Sequence, residues 1–233
     1  MGQTEALFYE KEGKMLAYSW HQYWKKTRYF ARALISIGVE PFRTVNILGY
    51  NSPQWFMAYL GGMYACVPPV GVYPTSSSES ALYIAEHSEC GCIVVDSMIN
   101  YRKYEKEFKK LKSLKAIVFY CDLSEKEVKS LTNPFVPIYV WKDFISLGKR
   151  ALVDFEFLTR ISMQKPGHCC NLIYTSGTTG PPKGVMLSHD NLTWTARALQ
   201  ITIGDLIGFN QKLVSFLPLS HIAGQVVDIL CNY

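Results

Sequence analysis

Apolar positions along the chain recur with two periods, one helical and one strand-like. Ser19 to Ile37 carries them at helical spacing, with Ser19 placed as an N-cap and Gly38 as a C-terminal stop. Val45 to Gly49 follows as a short apolar run of strand length. Ser52-Pro53 opens a second helix reaching to about Ala65, with proline in its first turn. Val67 to Tyr73 reads as a strand, Ser77 to Ser88 as a helix capped by Ser76 or Ser77, and Cys92 to Asp96 as a short buried strand. A basic helix is predicted from Ile99 to Leu111. Strands follow at Lys115 to Tyr120 and Ile138 to Trp141, with Leu123 to Pro137 between them as a surface loop holding one short helix. Helix and strand alternating at this spacing define an α/β fold, a doubly wound, mostly parallel sheet flanked by helices.

Two stretches test whether this pattern hides something else. No charged residue occurs from Thr44 to Ser78, and Trp55 to Tyr73 is strongly apolar. Gly61-Gly62 and Pro68-Pro69 cut it into pieces shorter than the ~20 uninterrupted apolar residues of a transmembrane helix, so a core helix and a buried strand are expected. In the basic helix, Tyr101, Tyr104, Phe108 and Leu111 share one face. Arg102, Lys103, Lys106, Lys109, Lys110 and Lys112 then point to water, and contact with anionic lipid is the functional alternative.

Composition narrows the picture modestly. With 233 residues, 48% hydrophobic and 18% charged, the chain buries a sizeable core and is not disordered. A net charge of +5 suits anionic ligands or a membrane surface and specifies neither. The seven cysteines are odd in number and lack C-x-x-C spacing, which argues against a disulfide framework or a zinc site and for small buried residues in a reducing compartment. The polar N-terminus carries no secretory signal. No motif supports nucleic-acid binding.

The strongest chemical signal is Thr175-Ser176-Gly177-Thr178-Thr179-Gly180-Pro181-Pro182-Lys183-Gly184-Val185-Met186. It hangs between the apolar runs Asn171 to Tyr174 and Val185 to Leu187. Glycine lets backbone N–H groups close on an anion, the hydroxyls add donors, and Lys183 adds a mobile positive charge. A plain turn has similar composition. A Walker-type loop fails, because Pro182 stands where that pattern needs its second glycine and Val185 to Leu187 reads as strand.

The whole string from Tyr174 to His189 resembles the signature loop of the adenylate-forming superfamily, which includes acyl-CoA synthetases, luciferases and the adenylation domains of peptide synthetases. Leu34 to Pro41, Ile47 to Trp55, Gly71 to Ser76 and Phe216 to Ala223 are similar, in the same order, to segments of long-chain acyl-CoA synthetases, and among subfamilies the bubblegum type is the nearest. The resemblance implies activation of a fatty acid by ATP to an acyl-adenylate, with Mg²⁺ sharing the phosphate charge, followed by acyl transfer to coenzyme A. It implies that Thr175, Ser176, Gly177, Thr178, Thr179, Gly180, Pro181, Pro182 and Lys183 hold the β- and γ-phosphates, with Lys183 also catalytic. It places His221, after Leu217-Pro218-Leu219-Ser220, beside the acyl group and α-phosphate as a second catalytic residue. Gly224 and Gln225 would begin the wall of the fatty-acid channel. His189 reads as a structural residue at the strand–helix junction, with Ser188 or Asp190 capping the helix that follows.

Members of that superfamily run to several hundred residues. The resemblance therefore implies that residues 1–233 are a partial adenylation domain, the incomplete N-terminal domain of such an enzyme. It would be cut before the ribose- and metal-binding segments and the small C-terminal domain, and inactive alone; the alternatives are a non-catalytic nucleotide-binding or interaction fragment, or adenylation of a different carboxylic acid. It also implies a cytoplasmic protein with peripheral contact to the endoplasmic reticulum or other internal membranes.

Overall fold

The computed structural model describes residues 3–131, 135–175, 180–203 and 212–230. Its first element is one that the sequence pattern did not announce, a hairpin of β1 (Glu5–Lys11) and β2 (Lys14–Ser19). Glu12 and Gly13 turn it with φ of 52° and 74°, the left-handed pair that a two-residue hairpin requires. Helix α1 (Trp20–Ser36) starts at Ser19 with reciprocal bonds: Gln22 N–H donates to Ser19 Oγ (3.2 Å) and Ser19 N–H to Gln22 Oε1 (2.9 Å). It stops where Gly38 adopts φ +79°.

Strands and helices then alternate: β3 (Thr44–Leu48), α2 (Pro53–Tyr64), β4 (Pro69–Val72), α3 (Ser78–His87), β5 (Cys90–Val95), α4 (Met98–Glu105), β6 (Ala116–Phe119), α5 (Glu125–Ser130) and β7 (Ile138–Val140). Two helices without a counterpart in the sequence reading come next, α6 (Trp141–Arg150) and α7 (Asp154–Ser162). The chain continues as β8 (Cys169–Thr175), β9 (Lys183–Ser188), α8 (His189–Ile203) and α9 (Ile222–Gln225), the last running into a π-helical turn over Val226–Leu230. Ser52 and Ser77 cap α2 and α3 as expected.

The seven-stranded sheet has the order β7-β6-β5-β3-β4-β8-β9, parallel throughout except for the antiparallel edge strand β9. Strand residues alternate between two cores. Ile47, Val94 and Val118 join Phe30, Trp55, Phe144 and Phe157 on the face covered by α1, α2, α6 and α7. Leu48, Ile93 and Ile117 join Ile84, Tyr101, Tyr104 and Phe108 on the face covered by α3 and α4. Helices on both faces make the sheet doubly wound.

Two sequence expectations are corrected. The basic helix does not run unbroken from Ile99 to Leu111: α4 ends at Glu105 and a 3₁₀ turn, Phe108–Lys110, follows. Clustered like charges weaken a continuous helix there, while Tyr101, Tyr104, Phe108 and Leu111 all still reach the core. Trp141 does not end a strand; it begins α6 and stacks on Phe30 at 5.3 Å. The apolar stretch Trp55 to Tyr73 forms α2 and β4 inside the core, and among the described residues no helix is long and apolar enough to cross a membrane. The described cysteines are free, and burial pushes the Cys90 thiol up to about 12 and that of Cys121 to about 11.

Helices α1 and α6 approach through a glycine. A Cβ on Gly148 would fall within bonding distance of the Tyr29 carbonyl, and the Gly148 carbonyl accepts from Arg32 Nε at 3.0 Å. Gly148→Ala should therefore destabilise the fold by about 3 kcal/mol, the upper end of overpacking costs, read as a lowered urea midpoint at unchanged slope.

Candidate functional site

The phosphate-loop string occupies the turn between β8 and β9, where Thr175 pairs with Lys183 across the ladder. Because β8 runs parallel to β4, Thr175 stands at the carboxyl end of the parallel sheet. Ser176, Gly177, Thr178 and Thr179 lie outside the described residues. Of the others, Gly180 has φ +93°, open to glycine and strained for other residues, and Thr175, Gly180, Pro181 and Lys183 are exposed. The base of the turn is pinned from below. Tyr174 is buried, its hydroxyl lies 2.7 Å from His87 Nδ1 on α3, and burial raises its pKa to about 12. Gly184, opposite Tyr174, lets that ring lie flat against β9, since a Cβ would meet it at 3.1 Å.

A second segment, 215–225, is laid against this end of the sheet by three side-chain amides. Asn51, just after β3, donates from Nδ2 to the Leu217 carbonyl (2.8 Å) and to Ser215 Oγ and O (2.9 and 3.2 Å), while its Oδ1 accepts the Leu219 N–H (3.0 Å). Gln225, fully buried, donates to the Leu219 carbonyl (2.8 Å) and accepts from Asn171 Nδ2 of β8 (2.7 Å) and the Tyr59 hydroxyl of α2 (3.1 Å). The segment touches the sheet at Gly71, where a Cβ would be 2.6 Å from Ser220 Cα. Gly71 pairs with Ile173, so Ser220 and His221 sit on the strand beside the one that carries Thr175.

His221 is exposed and caps α9. Its Nδ1 accepts the Ala223 N–H at 3.1 Å, so the neutral ring carries its proton on Nε2 and can offer it as a donor. The crevice on the far side of β3 is filled instead of open. Asp96 accepts from Tyr50 N–H (3.1 Å), Ser97 Oγ (2.7 Å) and Asn100 Nδ2 (2.7 Å), and the Tyr120 hydroxyl covers the Tyr50 carbonyl at 2.8 Å. Lys183 and His221, both exposed, stand on the β4–β8–β9 side of the carboxyl edge.

Gly224 and Gln225 do not line a channel. Gly224 packs on the Leu217 and Pro218 carbonyls, and Gln225 is enclosed by Tyr59, Asn171 and Leu219. His189 is the first residue of α8; its N–H donates to the His168 carbonyl (3.2 Å), while Ser188 Oγ accepts the Asn191 N–H (3.1 Å) as the cap. Asn51, Asn171 and Tyr59 went unassigned in the sequence reading. Their only sequence signal is a hydrogen-bonding side chain within or beside an otherwise apolar run. Among the described residues no group of three His, Cys, Asp or Glu side chains converges as for a metal ion, so none is assigned to Mg²⁺.

The turn between Thr175 and Lys183 thus lies at the carboxyl edge of a doubly wound sheet, the edge where open α/β folds bind ligands. The family model for AMP-binding enzymes matches residues 2–233, and the chain belongs to that family. It is 44% identical over 214 residues to the long-chain-fatty-acid–CoA ligase ACSBG2 of Xenopus laevis, covering 91% of this chain and 28% of that protein. To the long-chain-fatty-acid–CoA ligase ACSBG1 of Rattus norvegicus it is 40% identical over 232 residues, covering 98% of this chain and 31% of that protein. The chain therefore spans about a third of the length of these relatives. In fold it is similar to the A-PCP didomain of carboxylic acid reductase from Segniliparus rugosus, solved with AMP, with a TM-score of 0.74, 18% identity and coverage of 94% of this chain and 32% of that one. It is also similar to o-succinylbenzoate CoA synthetase from Bacillus subtilis, solved with the acyl-adenylate OSB-AMP, with a TM-score of 0.64, 22% identity and coverage of 93% and 48%.

Two outcomes are expected from this geometry. Asn51→Ala removes the bonds that hold residues 215–219, and the Leu219 amide should exchange with solvent roughly ten- to a hundredfold faster by mass-spectrometric hydrogen exchange. Burial and the neighbouring His168 hold the His189 pKa below its ordinary value, so folding favours the neutral ring. That contribution is complete above about pH 6.5 and is lost as pH falls toward the lowered folded value. His189→Asn should flatten the fall in urea midpoint between about pH 7 and about pH 5.

Proposed function

We propose that this chain is the phosphate-binding and acyl-side part of the adenylation domain of an AMP-forming long-chain fatty acid–CoA ligase. The observation that carries the reading is the position of the Tyr174–His189 string. It forms the turn at the carboxyl edge of the sheet, beside the strand on which the His221 segment rests. The identity of about 40% to long-chain-fatty-acid–CoA ligases supports the substrate class. In this reading ATP, fatty acid and coenzyme A are the substrates, and Mg²⁺ acts with ATP.

Each residue acts through charge and position. Lys183, exposed at the start of β9, neutralises the β- and γ-phosphates as pyrophosphate departs. Thr175, Ser176, Thr178 and Thr179 add hydroxyl donors, and Gly177 and Gly180 let backbone N–H groups approach the phosphate oxygens, while Pro181 and Pro182 stiffen the approach to Lys183. His221 Nε2–H donates to the oxygen that gains charge when the carboxylate attacks the α-phosphate. When bound, Mg²⁺ shares the phosphate charge. The fatty acid arrives from a membrane with which the protein is in peripheral contact.

Pyrophosphate release from Mg-ATP, measured with a panel of fatty acids on this chain and on a form extended to the length of its relatives, tests the proposal. Activity in the extended form, lowered about 10²- to 10³-fold by Lys183→Ala, is the expected result. A folded extended form that releases no pyrophosphate with any acid would leave nucleotide binding without turnover as the better reading.

A further inference from the structure

The last buried residue before the loop between β8 and β9 is tied to a helix that carries none of the residues assigned above. Tyr174 stands one residue before Thr175, and its ring joins the core covered by α3 and α4. Its hydroxyl lies 2.7 Å from Nδ1 of His87, an exposed residue in the last turn of α3, and the Ser88 hydroxyl reaches it as well. His87 is itself held in place. Its ring stacks on that of Tyr83 with centroids 5.3 Å apart, and it meets the Tyr174 ring edge-on at 5.8 Å. Burial keeps the Tyr174 hydroxyl protonated at neutral pH, with a pKa of about 12, so it donates to Nδ1 of the neutral His87 ring.

Both legs of the loop face this one side chain. Gly184 stands opposite Tyr174 on β9, where a Cβ would meet ring atoms at 3.1 to 3.5 Å. The next pair outward is Thr175 and Lys183, from which the loop springs. The hydroxyl is not needed for packing. Phenylalanine would fill the same core space, and Ser88 would keep the Thr44 hydroxyl at 3.0 Å and Asn46 Oδ1 at 3.2 Å as partners. What the hydroxyl adds is direction. A ring bonded at its far end cannot change rotamer without breaking that bond, so the strand pair it supports keeps one geometry.

We propose that His87 and Tyr174 are positioning residues for the loop, and that the bond between them sets Thr175 and Lys183 in place before a nucleotide arrives. In this role neither touches the phosphates; His87 acts through Tyr174, and Tyr174 through the strands on either side of the loop. A loop with a preset base binds β- and γ-phosphates without first having to order that base. The inference rests on the assignment of the loop to those phosphates made above.

The test is calorimetric titration of Mg-ATP and of AMP, each without fatty acid, into the form extended to the length of its relatives. AMP lacks the two outer phosphates and serves as the internal control. Tyr174→Phe, and His87→Phe, which keeps a ring against Tyr83 but has no nitrogen, should each weaken Mg-ATP about three- to tenfold. The AMP constant and the stoichiometry should not change. His87→Asn puts an amide atom where Nδ1 lies and should restore most of the lost Mg-ATP affinity. A merely structural role would lower the fraction of protein that binds and leave the ratio of the two affinities alone. Should the Tyr174 variant fail to fold, the substitutions at the exposed His87 decide. Unchanged Mg-ATP affinity in either phenylalanine variant, an equal loss for AMP, no rescue by asparagine, or a parent that binds neither nucleotide overturns the proposal. Lys183→Ala tells the two readings apart. If it weakens Mg-ATP and the phenylalanine variants do not, the positioning pair falls and the loop assignment stands; if it leaves Mg-ATP unchanged, the loop assignment falls and the pair with it.

Discussion

The arrangement of the site depends on one buried amide. Gln225 is fully enclosed, and both ends of its side chain are engaged by groups from different parts of the chain: Tyr59 on α2, Asn171 on β8 and the Leu219 carbonyl. A buried polar group left unpaired costs about 1–3 kcal/mol, so only an arrangement that brings these three partners together is favourable. The arrangement that does so lays the His221 segment against the strand that leads into the phosphate loop. Asn51 holds the same segment from the β3 side, and the bare Cα of Gly71 gives Ser220 its seat. Two stretches of chain some forty residues apart thereby share one edge of the sheet.

The division of labour between the two cores follows from strand alternation. Each strand of the parallel ladder supplies one face to α1, α2, α6 and α7 and the other to α3 and α4. The Arg160 charge, set into the first core, is engaged by the Val39 and Ala65 carbonyls and by Glu156, and the buried thiols Cys90 and Cys92 are held protonated. Polar chemistry is pushed to the carboxyl edge. There the Asp96 network closes the crevice between β3 and β5, and the His221 segment lies against the β4–β8 side.

Much of this was legible in the chain. Ser19, Ser52 and Ser77 announce three helices because a cap is a local bond, readable from neighbours alone. The turn between β8 and β9 is legible because glycines, prolines and hydroxyls interrupt two apolar runs there. The β1–β2 hairpin escaped notice because its residues are mostly exposed or half-buried on both faces, so burial imposes no alternation on them; only Glu12-Gly13 hinted at its turn. The break after Glu105 and the roles of Asn51, Asn171 and Gln225 depend on partners more than forty residues away or on crowding of charge, and periodicity carries neither. Gln225, taken from the sequence for a channel residue, proved to be a fastening, because a polar side chain gives no sign of which way it will face until its partners are folded around it.

The rung formed by Thr175 and Lys183 separates what the fold demands from what a ligand demands. Residues directly opposite on an antiparallel ladder stand about 5 Å apart, so the stretch between them is a ring already closed at its neck. Closing such a ring costs little more when it is longer, about 0.6 kcal/mol for each doubling. The sheet is therefore nearly indifferent to how many residues the ring contains or which they are. Its hydroxyls, glycines and prolines are not dictated by the sheet, and the scaffold could exchange one ring for another without having to be rebuilt.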